Sequence, residues 1–188
     1  MSKNINATHY DLIPAYPSRS KKSEHIVHAV IETPKRSCQK YALVPKYGII
    51  AFESVLPDKL EWPYDYGFIP QTLAPDGDPL DILLVNDNGL FSGCLIETRV
   101  IGAIREKKDG TENDRLIAVL PPSKGAPQQT DEYYEISDLP DRTLTDIKHF
   151  LVEYSERQGH KIDIRAVVDA SEAMQIVKRG MKAFKKAS

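Results

Sequence analysis

Within six residues, Asp76-Gly77-Asp78-Pro79-Leu80-Asp81 crowds three carboxylates. Like charges this close repel, and a fold keeps them together where a hard cation or strong donors share their charge. Gly77 allows a tight backbone turn and Pro79 fixes φ, so the loop is stiff. Ile82-Leu83-Leu84-Val85 follows as a short apolar run, the mark of a buried strand, which sets the acids at a strand mouth. Asp-Gly-Asp-Pro is also good turn chemistry, and a solvated surface turn is the plain alternative. An EF-hand is excluded, because no alternating series of oxygen ligands closes on a distant Glu. Magnesium suits the set, since it takes few carboxylates and keeps waters for a phosphate ligand.

The elements that must carry this loop read as mainly β. A strand is predicted at 26–31, a hairpin from 40–44 and 48–52, and a long strand at 95–104. The long strand turns at 107–111 and pairs with 115–120. Several short strands with turn signals point to a closed barrel. A helix is predicted over 143–157, with Asp141 as its cap and Leu144, Ile147, Phe150, Leu151 and Tyr154 at helical spacing. Gly159 sits where that helix stops. A second helix over 171–186 turns Ala173, Ile176, Val177 and Phe184 inward. Its basic outer face (Lys178, Arg179, Lys182, Lys185, Lys186) reads as a solvated end complementing the helix dipole.

Composition limits the classes. At 188 residues and 41% hydrophobic, residues 21–188 make one domain with a core of its own, and residues 1–20 read as an arm or flexible extension. A net charge of −2 argues against nucleic-acid and anionic-membrane partners. No apolar run reaches membrane-span length, and the amino end lacks a signal-peptide core. Cys38 and Cys94 are expected as unpaired thiols, which suits a cytoplasmic home. The five histidines share no ligand spacing with them, so zinc is not expected; His149 reads as a packing or cap residue. Ser123-Lys124-Gly125 reads as a flexible rim and Asp131-Glu132-Tyr133-Tyr134-Glu135 as a surface turn.

Just upstream of the acidic loop stands Glu61-Trp62-Pro63-Tyr64-Asp65-Tyr66-Gly67-Phe68-Ile69-Pro70. A Pro-x-x-Tyr-Gly segment followed by acid-Gly-acid-Pro-x-acid resembles the soluble family I inorganic pyrophosphatases. The resemblance runs from about Val27, Ile31 and Glu32 to the helix around His149 and Tyr154. It implies an α+β, mainly β fold: a small five-stranded OB-like β-barrel flanked by two helices, with the acidic cleft on one side. It also implies several Mg2+ ions that neutralise pyrophosphate and activate the attacking water. By size, it implies a homo-oligomer of the bacterial type, a hexamer before a dimer.

By that resemblance, Glu32, Lys40, Tyr66, Asp76, Asp78, Asp81 and Tyr154 hold active-site positions. Asp76 and Asp81 would bind metal, Asp78 would orient or deprotonate the water, and Lys40 and Tyr66 would hold the attacked phosphoryl group. The other half departs from the family. Ala42 replaces an acid, Ser54 an arginine, Trp62 a tyrosine and Ser155 a lysine. Two metal-binding acids and a lysine align with Lys108, Asn113 and Arg115. Asp109 and Asp114 have the right separation but are displaced by one residue, so they serve as ligands only where a bulge restores their direction.

Three readings follow. One is a magnesium-dependent pyrophosphatase, slowed because Ser54 and Ser155 replace cations on the leaving phosphate. Another is a hydrolase of an organic phosphate or diphosphate, with Ser54, Trp62 and Ser155 facing the organic group. The last is a catalytically silent phosphate binder.

Overall fold

A 14-residue strand, β6 (Leu95–Lys108), organises the molecule. The computed structural model describes residues 9–18, 25–57, 60–122 and 129–187. Strands β1 (Ile26–Thr33), β4 (Asp65–Ile69), β5 (Leu80–Val85) and β8 (Arg115–Val119) join β6 in a ring ordered β1-β4-β5-β8-β6 and closed by β1–β6 pairing. All contacts in the ring are antiparallel except β5–β8. Strands β7 (Thr111–Glu112) and β9 (Ile162–Asp169) also pair with β6, while β2 (Gln39–Val44) and β3 (Ile49–Val55) form a separate hairpin. Two helices, α1 (Asp141–Arg157) and α2 (Ala170–Ala187), flank the ring. This is the mainly-β, α+β arrangement expected.

Period-two alternation sorts the ring residues into two cores. Leu80, Ile82 and Leu84 of β5, with Leu116 and Ala118 of β8, pack with Ala173, Ile176 and Val177 of α2. Leu83 and Val85, with Ile117 and Val119, pack with Ile147, Phe150, Leu151 and Tyr154 of α1. Asp81 and Arg115 have the parity of the second set and stand directly opposite in the β5–β8 register. Their side chains are therefore neighbours on one face of the sheet.

Close backbone approach explains Gly67. A Cβ there would stand 2.0 Å from the Val30 carbonyl oxygen, so the Tyr-Gly pair is required where β4 crosses β1.

Several local expectations change. Pro140, not Asp141, is the α1 N-cap, and it makes no side-chain capping bond; Asp141 instead puts its charge in the first turn. His149 is exposed on α1 and neither packs nor caps. Phe184 is only partly buried. The 131–135 segment lies between and within short 3-10 turns, Gln129–Glu132 and Ile136–Asp138. Strand β9 was not anticipated. Cys38 and Cys94 are both free, as expected.

Within the expected extension, His9–Leu12 forms a 3-10 turn, and Ala15 is fully buried with its carbonyl accepting from His28 N at 2.9 Å. Residues 1–8, 19 and 20 lie outside the described residues, as does the Ser123-Lys124-Gly125 rim.

Candidate active site

The acidic loop is tied down at both ends. Thr72 Oγ1 accepts from Leu80 N at 2.9 Å, and Leu73 N donates to Gly180 O of α2 at 3.0 Å. Within it, Ala74 N donates to Asp78 O, Gly77 takes φ +97°, and Asp78 N donates to Asp76 Oδ1 at 3.1 Å. The turn thus holds Asp76 and Asp78 exposed and side by side. Burial, then the neighbouring Asp76 charge, raises the Asp78 carboxyl above its ordinary value.

These acids border a small polar cleft of about 170 Å³, lined also by Glu32, Lys40, Glu53, Tyr66, Asp81, Lys108, Asn113 and Arg115. That size suits an inorganic anion better than a drug-sized organic ligand. Glu32 Oε1 accepts from Leu43 N at 2.7 Å, and Thr33 Oγ1 exchanges bonds with the Tyr41 backbone. The two side chains pin the β2–β3 hairpin to β1 and so bring Lys40 over the cleft. Burial pushes the Glu32 carboxyl up to about 7.

Lys40 Nζ lies 2.9 Å from Glu53 Oε1 and also hydrogen-bonds the Tyr154 hydroxyl. Burial alone would lower the Lys40 pKa, but Tyr154 and Glu53 outweigh it and the net shift is upward. Glu53 escaped sequence reasoning. In the hairpin register Lys40 faces Ser54 and Tyr41 faces Phe52, so Glu53 is the extra residue of a bulge. No single-sequence signal marks such a skip.

Arg115 is the most heavily engaged cation of the cleft lining. Its guanidinium pairs with Asp81, donates to Asn113 Oδ1 at 2.9 Å, and puts Nε 3.3 Å from Glu106 Oε1. It also stands over the Tyr66 ring. Glu106 is only 1% exposed, and burial, with Asp114 second, pushes its carboxyl up to about 8. Glu106 too was missed, because it stands in the charged run Arg105-Glu106-Lys107-Lys108, which reads as solvated.

Five expected site residues, Asp109, Asp114, Trp62, Ser54 and Ser155, lie outside the cleft lining, and Tyr154 is linked to it through Lys40. Asp109 sits at the β6–β7 turn with φ +51°, bonded to His160 Nδ1 at 2.7 Å and Lys161 N at 2.9 Å. Asp114 accepts from Glu106 N at 3.3 Å and lies 3.5 Å from Arg105 Nε. Alternation sends Lys108, Asn113 and Arg115 to the cleft and the displaced acids away from it. Trp62 is 2% exposed, buried among Tyr66, Phe150 and Tyr154 with centroids 4.5, 4.9 and 5.2 Å away. It buttresses the two tyrosines and lines no part of the cleft. Ser155 is buried within α1, outside the cleft lining. Ser54 faces Lys40 across the hairpin, but its buried Oγ has no hydrogen-bond partner.

Asp76 and Asp78 are the side chains of the cleft that could hold a magnesium ion. Among the described residues, Asp76 and Asp78 enter no ion pair, whereas Asp81 is taken by Arg115. No three His, Cys, Asp or Glu side chains among the described residues are gathered to hold an ion by themselves. Magnesium does not need that, since two carboxylates, waters and a phosphate complete its shell.

A closed five-stranded ring with two flanking helices, and an acid-Gly-acid-Pro-x-acid loop facing a lysine and two tyrosines, define a phosphoryl-transfer type of site. The chain belongs to the inorganic pyrophosphatase family, whose model matches residues 29–185. An inorganic pyrophosphatase of Geobacillus stearothermophilus is 41% identical over 74% of this chain and 82% of its own length. That of Sulfolobus acidocaldarius is 34% identical over 88% of this chain and 95% of its own. The crystal structure of inorganic pyrophosphatase from Thermus thermophilus superposes with a TM-score of 0.81 at 30% identity, covering 97% of this chain and 99% of that one.

Proposed function

We propose that the chain hydrolyses pyrophosphate to two phosphates with magnesium, at a rate well below that of a site with a full set of cations. The observation that carries the reading is the pair Asp76–Asp78, in no ion pair among the described residues and exposed, in one cleft with Lys40 and Tyr66, with Tyr154 bonded to Lys40. Magnesium held by Asp76 and Asp78 would neutralise phosphate charge and make water a better nucleophile. Asp78, at the exposed tip of the loop beside Asp76, is placed to accept the water proton. Lys40 and the Tyr66 and Tyr154 hydroxyls hold the attacked phosphoryl group. Water oxygen adds to that phosphorus, the bridging P–O bond breaks, and the second phosphate leaves with the bridging oxygen.

The leaving side sets the rate. Ser54 and Ser155 bring no charge to the cleft, and each missing charge-assisted contact costs about 1.5–3 kcal/mol. Two together slow turnover by roughly 10²–10⁴-fold. An organic leaving group has less support, because Trp62 is enclosed by other rings and not free to stack on it.

A homo-oligomer, hexamer before dimer, follows the size resemblance to bacterial members. The exposed apolar side chains of the hairpin (Tyr47, Ile49, Phe52, Val55) are surface that an assembly would cover. No helix among the described residues is long and apolar enough to cross a membrane, and the unpaired thiols suit the cytoplasm.

Phosphate release from pyrophosphate with millimolar magnesium, beside an Asp78→Ala control, tests the reading. Release that disappears in the control is expected. Equal signal from both proteins would leave only a phosphate-binding role.

A further inference from the structure

Both paired cations of the cleft are committed before any ligand arrives. Lys40 is held by Glu53 at 2.9 Å, and Arg115 by Asp81 on one side and Glu106 on the other. The cleft lining carries three cationic side chains (Lys40, Lys108, Arg115) against five acids (Glu32, Glu53, Asp76, Asp78, Asp81), an excess of two negative charges when all are ionised. A free phosphate therefore meets a repelling field and an occupied guanidinium. A free magnesium ion finds Asp76 and Asp78, while Asp81 is turned to Arg115.

The pairing is fixed by backbone. Asp81 and Arg115 are direct partners in the only parallel contact of the ring, so neither strand can slide to part them. Separation has to come from side chains exchanging partners. A guanidinium fork matches phosphate as well as carboxylate, and a freed Asp81 carboxylate matches magnesium.

We propose that the Arg115–Asp81 ion pair is a lock that makes magnesium and phosphate bind as a coupled pair. Arg115 exchanges Asp81 for a phosphate oxygen, and Asp81 turns to the metal. Magnesium alone is left with Asp76 and Asp78, and phosphate alone must displace Asp81 with no metal to receive it; together they satisfy both halves. The coupling deepens the magnesium–phosphate reading of this cleft and rests on it, but it is a property of binding and does not require turnover.

Equal-charge variants separate the lock from general electrostatics. Asp81→Asn and Asp76→Asn each remove one acid from the cleft, but only the first takes away the carboxylate that Arg115 pairs with inside the cleft. Isothermal titration with inorganic phosphate, without metal, should show binding about tenfold tighter in D81N than in D76N. With magnesium as titrant, Arg115→Met should bind about tenfold tighter than Lys108→Met, since only R115M releases Asp81. In the wild type, saturating methylenediphosphonate, which cannot be hydrolysed, should raise magnesium affinity about tenfold or more, and D81N should lose most of that gain.

Circular dichroism and melting confirm that each variant is folded. R115M strips Glu106 of its cation and can fail that check, in which case the D81N and D76N pair decides alone. Equal phosphate affinity in D81N and D76N, or no ligand binding by the wild type, overturns the lock. Coupled binding without any phosphate release would leave the lock standing and refute the hydrolytic reading instead.

Discussion

Replacing Glu106 by Gln should flatten much of the pH dependence of stability. Glu106 is buried in β6 at 1% exposure, and neither carboxylate oxygen has a hydrogen-bond partner of good geometry. Burial raises its carboxyl from 4.5 to about 8. Between those values the native state keeps a proton that the unfolded chain has released. Stability therefore falls as pH rises through that window and levels off above it. At about 1.4 kcal/mol per pKa unit, the ceiling is roughly 5 kcal/mol. Lys108 already opposes burial in that net value, and a cation as near as Arg115 Nε, 3.3 Å from Oε1, puts the expected loss well under the ceiling, at about 2–3 kcal/mol. Gln has the shape of the neutral acid and cannot ionise. Urea unfolding at about pH 5 and about pH 9 should show the wild type losing that much more stability than E106Q. Glu32, raised to about 7 by burial, gives both proteins a common slope at lower pH. An unchanged difference between the two pH values in E106Q would refute the assignment.

Other outcomes follow from named contacts. Gly67→Ala should be unstable or insoluble, because its Cβ would sit 2.0 Å from a backbone carbonyl that cannot move aside; expression and melting temperature read this. Asp109→Asn and Asp114→Asn should leave the magnesium dependence of phosphate release as it was, whereas Asp76→Asn should weaken it; a loss in D114N would put that acid back in the cleft. Trp62→Ala should cost about 3–5 kcal/mol in denaturant unfolding and lower kcat by loosening Tyr66 and Tyr154.

The legible features were those written in short-range pattern. Apolar runs marked β1, β5, β6 and β8, and apolar residues at helical spacing marked α1 and α2. Strand β9 was legible in principle, since Ile162 and Ile164 alternate with Asp163 and Arg165, but one half-exposed face weakens the signal. The acidic loop could be placed because turn chemistry and the following apolar run fix it locally. Three features depended on partners distant in sequence. The bulge that presents Glu53 appears only when β2 meets β3. Burial of Trp62 depends on Phe150 and Tyr154 arriving from α1. The direction of Asp109 and Asp114 depends on a one-residue parity that β6 and β8 settle between them.

The many-partnered strand β6 has a consequence for synthesis of the chain. A nascent polypeptide that has emerged only through β5 has neither partner needed to close the ring, so its strands present open edges. Even after β7 and β8 join, the other edge of β6 from Gly102 to Lys108 stays bare until β9 arrives near the carboxyl end. Early stops or proteolytic loss beyond residue 161 would leave that edge bare and adhesive. Aggregation, more than loss of the cleft, is then the expected fate of a shortened chain.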